Sequence, residues 1–221
     1  MTLQESRLDL ERRRRLGMVE AVWGQHKSVD QIVAILQTMQ SAGEIALVTR
    51  VERGKAAAVR DRCPAVQVYE QAACLTQGEL PATAQAPAVA VLSGGTSDRR
   101  VAEEASLALR VHGIATVSFL DVGVAGLHRL IDVLPELRSM SVLIACAGME
   151  GALPTVLAGL VPQPVIGVPV SVGYGVSAGG RAALDGMLAS CSPGLAVVNI
   201  DNGYGAAMAA LRILRGAPSQ D

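Results

Sequence analysis

Aromatic side chains are nearly missing from this chain of 221 residues, which has one Phe, one Trp and three Tyr. Its core must therefore rest on Val, Leu, Ile and Ala. Charge of neither sign dominates: 19 Lys and Arg stand against 20 Asp and Glu, a net charge of −1. That balance excludes general nucleic-acid binding, which needs a basic surface. Four cysteines, Cys63, Cys74, Cys146 and Cys191, form no CxxC pair and no metal-finger spacing. His112 and His128 have no partner at metal-ligand spacing, and His26 reads as a turn residue. No apolar run approaches the roughly 18 residues that span a bilayer, so no membrane partner is expected. The amino terminus mixes acids and bases instead of showing an apolar signal segment. These features set the expectation of a reduced, cytoplasmic protein.

Half the residues are hydrophobic, only 18% are charged, and 23 are glycine. A sizeable core with many tight turns follows. Residues 1–85 read as a small N-terminal α/β region. Leu8 to Leu16 is a basic helix candidate, and Ser28-Val29-Asp30-Gln31 has capping-box spacing and opens a helix to about Met39. Strand-like runs at 45–48 and 66–69 flank a helical stretch at 52–62. Two prolines, a glycine and several polar residues place a linker at Thr76 to Pro87. From residue 86 to 216 the pattern is regular. Strand-like runs near 88–92, 114–119, 141–146, 164–168 and 195–200 alternate with helical segments near 97–111, 124–138, 150–160, 177–190 and 203–214. Such alternation predicts parallel βαβ units. Nearly continuous apolar strands predict a sheet covered by helices on both faces, a three-layer flavodoxin- or Rossmann-like α/β fold.

That topology puts every strand-to-helix turn on one edge, where such folds bind ligands. Five turns fall there: Ser93–Asp98, Asp121–Gly126, Ala147–Pro154, Ser171–Gly180 and Asn199–Gly205. In the first, the amides of Gly94, Gly95 and Thr96, with the Ser97 hydroxyl, suit a phosphate at a helix start. A helix cap without a ligand is the plainer reading. Asp98 and Glu150 open two of the helices. They read either as two carboxylates sharing a pocket and handling protons or as acids that complement helix dipoles. Asp121 and Asp201 suit ribose hydroxyls or a cation, or simply turn formation. Cys191, in Ser190-Cys191-Ser192-Pro193-Gly194, reads as a small apolar residue or as a nucleophile. Thr49-Arg50 at a strand end suits a phosphate or a carboxylate.

Three runs resemble the aminoimidazole ribonucleotide carboxylase (PurE) family: Gly94-Gly95-Thr96-Ser97-Asp98, Ala147-Gly148 with Leu153-Pro154, and Pro164 to Val170. The likeness is closer still to the LarB family, which begins nickel-pincer cofactor synthesis. It runs through Asp121 to Leu130, Ala147 to Pro154, Ser171-Val172-Gly173-Tyr174-Gly175, Ser190-Cys191 and Val197 to Gly203. In the first region it includes Asp9, Arg12, Arg15, Gly17, Glu20, Lys27 and Thr49-Arg50.

The resemblance implies a PurE-like sheet domain that assembles as an octamer. It implies carboxylation of nicotinic acid adenine dinucleotide at C5 of its pyridinium ring by CO2 (bicarbonate being its source), with hydrolysis of the phosphoanhydride to AMP. In that chemistry Cys191 is the nucleophile, and Glu150 or Asp98 the base. The implied substrate contacts come from Ser93, Gly94, Gly95, Thr96, Ser97, Asp121, Gly123, Gly148, Met149, Ser171, Gly173, Tyr174, Asn199, Asp201 and Asn202. Arg12, Arg15, Lys27, Thr49 and Arg50 complete them. No tightly bound cofactor is expected. Charge neutralisation at the phosphoanhydride falls to Mg2+ or to the basic residues.

Departures are informative too. The PurE pattern carries a histidine just before Leu-Pro, where this chain has Ala152, so the proton carrier of that chemistry is missing. Val19, Ser93 and Val170 stand where the LarB pattern usually has proline, alanine and threonine.

Overall fold

The computed structural model describes residues 7–216. The chain divides into two compact units, Met1–Ala82 and Thr83–Asp221.

The first unit runs α1 (Arg12–Leu16), β1 (Ala21–Trp23), α2 (Val29–Ser41), β2 (Ala46–Thr49), α3 (Arg53–Arg62), β3 (Gln67–Tyr69) and β4 (Cys74–Gln77). Its sheet has the order β1-β2-β4-β3. β1 and β2 are parallel, whereas β4 pairs antiparallel with β2 and β3. The capping box at α2 forms as spaced: Gln31 N–H donates to Ser28 Oγ at 3.1 Å, and Ser28 N–H donates to Gln31 Oε1 at 3.0 Å. Ile32, Ile35, Leu36 and Met39 then recur on one face of α2 and bury against Val48, Val59 and Leu75.

β1 was not foreseen. β4 takes Thr76 and Gln77, which had been placed in the linker, and both are buried. Hydrogen bonding to a strand on each side satisfies the backbone of this polar segment. The basic helix is also shorter than expected, beginning at Arg12.

The second unit contains β5 (Val89–Ser93), α4 (Arg99–Val111), β6 (Thr116–Phe119), α5 (Leu127–Leu137), β7 (Val142–Ala147), α6 (Ala152–Ala158), β8 (Val165–Pro169), α7 (Arg181–Leu188), β9 (Leu195–Val197) and α8 (Gly203–Gly216). Its five strands are all parallel, in the order β6-β5-β7-β8-β9. β5, β7 and β8 are buried along their whole length. α4 and α8 cover one face. On the other, Leu130 and Leu137 of α5, Leu153 and Leu157 of α6 and Met187 of α7 close over Ala90, Leu92, Leu143 and Ala145. This is the expected three-layer PurE-like α/β architecture. The last strand ends at Val197, short of 200, because residues 198–202 turn toward α8.

The strand order reverses beside β5: the chain leaves it for β6 on one side and returns to β7 on the other. In an open parallel sheet the turns diverge at such a point and leave a crevice beyond the carboxyl ends.

Candidate active site

A cleft of about 470 Å³ opens at that crevice. The turn after β5 contributes Gly94, Gly95, Ser97 and Asp98, and the turn after β7 contributes Gly148, Met149 and Glu150. Gly123 and Arg129 close one side, and Val172, Gly173 and Tyr174 the other.

Asp98 ties the two central turns together. One carboxylate oxygen accepts from Gly95 N–H at 2.8 Å and the other from Gly148 N–H at 3.1 Å, across 50 residues of sequence. Burial pushes its carboxyl above the ordinary range. The two N–H donors oppose that shift, and the negative charge of Asp201 adds to it. Glu150 differs. It is exposed in the cleft, and its carboxylate makes no hydrogen bond or ion pair with another described residue. One cleft therefore holds a buried acid with both oxygens bonded and an exposed one with neither bonded.

The turns approach too closely for side chains at two glycines. A Cβ on Gly123 would lie 2.3 Å from Gly94 O, and one on Gly148 would lie 2.2 Å from Val172 O. Three non-glycine residues on this edge adopt left-handed backbone: Asp121 (φ 59°), Met149 (φ 54°) and Asp201 (φ 55°). Such strain is concentrated where a fold holds turns in fixed positions.

Some expected contacts lie outside the cleft wall. Ser93 is fully buried and its Oγ accepts from Asp121 N–H at 3.1 Å, so it braces the neighbouring turn. Asp201 accepts from Ser171 N–H at 2.8 Å, and Asn202 caps α8 by accepting from Gly205 N–H at 2.8 Å. Asn199 accepts from Ile200 N–H at 2.8 Å. Thr96 is exposed beside the wall. Arg129 was not among the expected contacts. It lines the cleft and pairs with Asp121 at 2.6 Å, giving the wall a cation beside two acids. Its signal was its place in the first turn of a helix that starts on the ligand edge.

Cys191 is exposed and is not part of the cleft wall. It lies in the connection from α7 to β9, and the pairing of Leu195 with Val165 puts that connection beside the start of β8. That is the amino edge of the sheet. A parallel strand rises roughly 3.3 Å per residue, so a strand's length separates this sulfur from the turns of its own chain. Cys146, by contrast, is fully buried, and burial pushes its thiol far up.

In the first unit, Arg15 forms a two-bond pair with Asp9, at 2.6 and 3.2 Å, which holds the Asp9 carboxyl below its usual range. Arg12 is half-buried on α1, while Lys27, Thr49 and Arg50 sit at the carboxyl ends of β1 and β2. No cluster of three His, Cys, Asp or Glu side chains suited to a metal occurs among the described residues. Mg2+ held by one or two carboxylates and substrate phosphates needs no such cluster. Among the described residues no helix is long and apolar enough to cross a membrane.

Residues 1–79 match the family model described as the LarB/PurE-like N-terminal domain, and residues 88–220 match AIR carboxylase. The chain belongs to the LarB family. An uncharacterized protein of Methanocaldococcus jannaschii is 38% identical over 208 residues, covering 90% of this chain and 80% of its own. The N5-carboxyaminoimidazole ribonucleotide mutase of the same organism is 37% identical over 136 residues, 57% of this chain and 78% of its own. A Treponema denticola PurE2 variant of known crystal structure superposes with a TM-score of 0.49 at 27% identity, over 58% of this chain and 80% of that one. The family supports a carboxylase-type function, and the cleft lies wholly in the carboxylase unit.

Proposed function

We propose that this LarB-family chain carboxylates C5 of the pyridinium ring of nicotinic acid adenine dinucleotide and cleaves its phosphoanhydride, releasing pyridinium-3,5-biscarboxylic acid mononucleotide and AMP. The observation that carries the reading is the pair of unlike carboxylates, Asp98 and Glu150, in one cleft at the strand-order reversal.

A pyridinium ring is too electron-poor to attack CO2. A thiolate adding to a carbon beside C5 turns the ring into an enamine whose electron pair is available at C5. That pair forms the bond to CO2. The C5 proton then leaves to a carboxylate, the carbon–sulfur bond breaks, and the thiolate and the aromatic ring are restored. Glu150 suits the proton, because its carboxylate is unengaged. Asp98, with both oxygens holding N–H groups, positions the turns. Water attacks the phosphoanhydride to give the two phosphate products. Arg129 and the Ser97 hydroxyl, which line the cleft, suit the negative charge, whereas the Gly94 and Gly95 amides are already donated to Cys146 O and to the Asp98 carboxylate. A divalent cation, when bound, would neutralise the phosphates further.

Cys191 enters this scheme as the thiolate of a neighbouring copy, since its own cleft lies at the opposite edge of the sheet. An exposed thiol at the amino edge suits that role, and a homo-oligomer, an octamer by family resemblance, would supply it. The test is to mix protein, nicotinic acid adenine dinucleotide, bicarbonate and Mg2+ and weigh the products. AMP and a mononucleotide heavier by one carboxylate are expected, and their absence rejects the reading. Cys191→Ser should abolish carboxylation while leaving binding intact.

The second reading is the ribonucleotide mutase activity named for the M. jannaschii relative. That match covers 57% of this chain, and Ala152 lacks the proton-carrying side chain of the PurE pattern. An assay with that ribonucleotide separates the two.

A further inference from the structure

Glu104 sits in the middle of α4, only 5% exposed, and lines no part of the cleft. A buried carboxylate destabilises a fold unless hydrogen bonds offset its lost hydration. Here its Oε1 accepts from Tyr204 N–H at 2.9 Å, one of the amides that the first turn of α8 leaves without a helical acceptor. The same turn presses on α4 at Gly203, where a Cβ would lie 2.4 Å from Val101 O and 3.1 Å from Ala105 N. Glu104 and Gly203 thus fix the start of α8 on α4 through separate contacts.

What α8 carries at that start reaches the ligand edge. One turn of chain before Tyr204, Asp201 grips the end of β8 twice. Its N–H donates to Pro169 O at 2.8 Å, and its carboxylate accepts from Ser171 N–H at 2.8 Å. Ser171 leads directly into Val172, Gly173 and Tyr174 of the cleft wall. Val172 O accepts in turn from the N–H of Met149, the neighbour of Glu150, at 3.1 Å. A Cβ on Gly148 would lie 2.2 Å from that same oxygen, so the two turns touch and a shift of one displaces the other. A continuous run of hydrogen bonds and backbone contacts therefore joins the buried acid of α4 to the exposed acid of the cleft.

We propose that Glu104 is a positioning residue: by holding the first turn of α8 it sets the Asp201 turn and, through Ser171 and Val172, the aim of Glu150. Its bearing on catalysis rests on the reaction proposed above, whereas the coupling does not. Amide hydrogen exchange on the full-length protein reads that coupling without turnover. Glu104→Met keeps the volume and removes the acceptor. Exchange should quicken about tenfold at Tyr204, Ser171 and Met149. Asp121 N–H, bonded to Ser93 Oγ on the opposite side of the cleft, should keep its native rate. Glu104→Gln, which retains an acceptor oxygen, should restore the native pattern. Gly203→Ala, which pushes the same turn off α4 at the other contact, should reproduce the Glu104→Met pattern. Quickening at Tyr204 alone means a local cap, and equal quickening at all four amides means general loss of stability; either overturns the inference. In the carboxylation assay Glu104→Met should lower kcat about tenfold or more with KM within about twofold, and Glu104→Gln should recover it. A native kcat in Glu104→Met also overturns the positioning role. The expected exchange pattern in a native chain that forms no product would sink the reaction and leave the coupling standing. Product from the native chain, with Glu104→Met altered at Tyr204 alone, would do the reverse.

Discussion

Asp98 concentrates the logic of the cleft in one side chain, since it is at once buried, charged and bound to two backbone amides from distant turns. Asparagine in its place offers one acceptor oxygen and turns an NH2 toward the other amide. Asp98→Asn is expected to lower stability at neutral pH by about 1–3 kcal/mol and to reduce turnover by loosening both turns. The pH dependence has a definite sign. Because burial raises this carboxyl above 3.8, ionised Asp98 weighs against folding at neutral pH. The native chain should therefore gain stability relative to Asp98→Asn as pH falls through the raised value toward 3.8. Urea unfolding of both proteins at neutral and mildly acidic pH checks it. Gly123 is the complementary case. A methyl group there meets Gly94 O at 2.3 Å, so Gly123→Ala should destabilise by about 1–3 kcal/mol and open the cleft wall. Its thermal unfolding midpoint should fall.

At the level of elements, the five strands of the second unit were legible because each is a short, nearly unbroken apolar run between turn residues. What remained unread had physical causes. β1 is three residues long and ends in an exposed Trp, so it shows no period. Thr76 and Gln77 look like loop residues until β4 is seen bonded on both sides. Asp98 and Glu150 stood out as acids at helix starts. That Asp98 holds a second turn 50 residues away had no local sign. Glu104 has a similar long-range role. It is buried on α4, and its Oε1 accepts from Tyr204 N–H at 2.9 Å, satisfying an amide at the start of α8 across 100 residues of sequence. Glu104→Ala should cost about 1–3 kcal/mol and expose the first turn of α8 to faster amide hydrogen exchange.

For the whole molecule, the position of Cys191 decides how many chains one reaction needs. With sulfur at the amino edge and carboxylates at the carboxyl edge, the proposed chemistry joins groups from two copies. Cys191→Ser and Glu150→Gln should each be inactive alone. Assembled together in one oligomer, they should regain part of the native activity, because some clefts then receive an intact cysteine and an intact glutamate. No recovery in the mixed oligomer, with both variants folded and associated, would show that the two groups never meet across copies.

The left-handed residues on the ligand edge carry a consequence for anyone who wants a sturdier protein. Met149 sits at φ 54° beside Glu150, a conformation that glycine adopts freely and methionine resists. Exchanging it for glycine would relieve the tension, yet it would also give the neighbouring acid more orientations to explore. Durability and catalytic aim therefore pull against each other at that position, and a screen for heat tolerance alone would select the slacker loop.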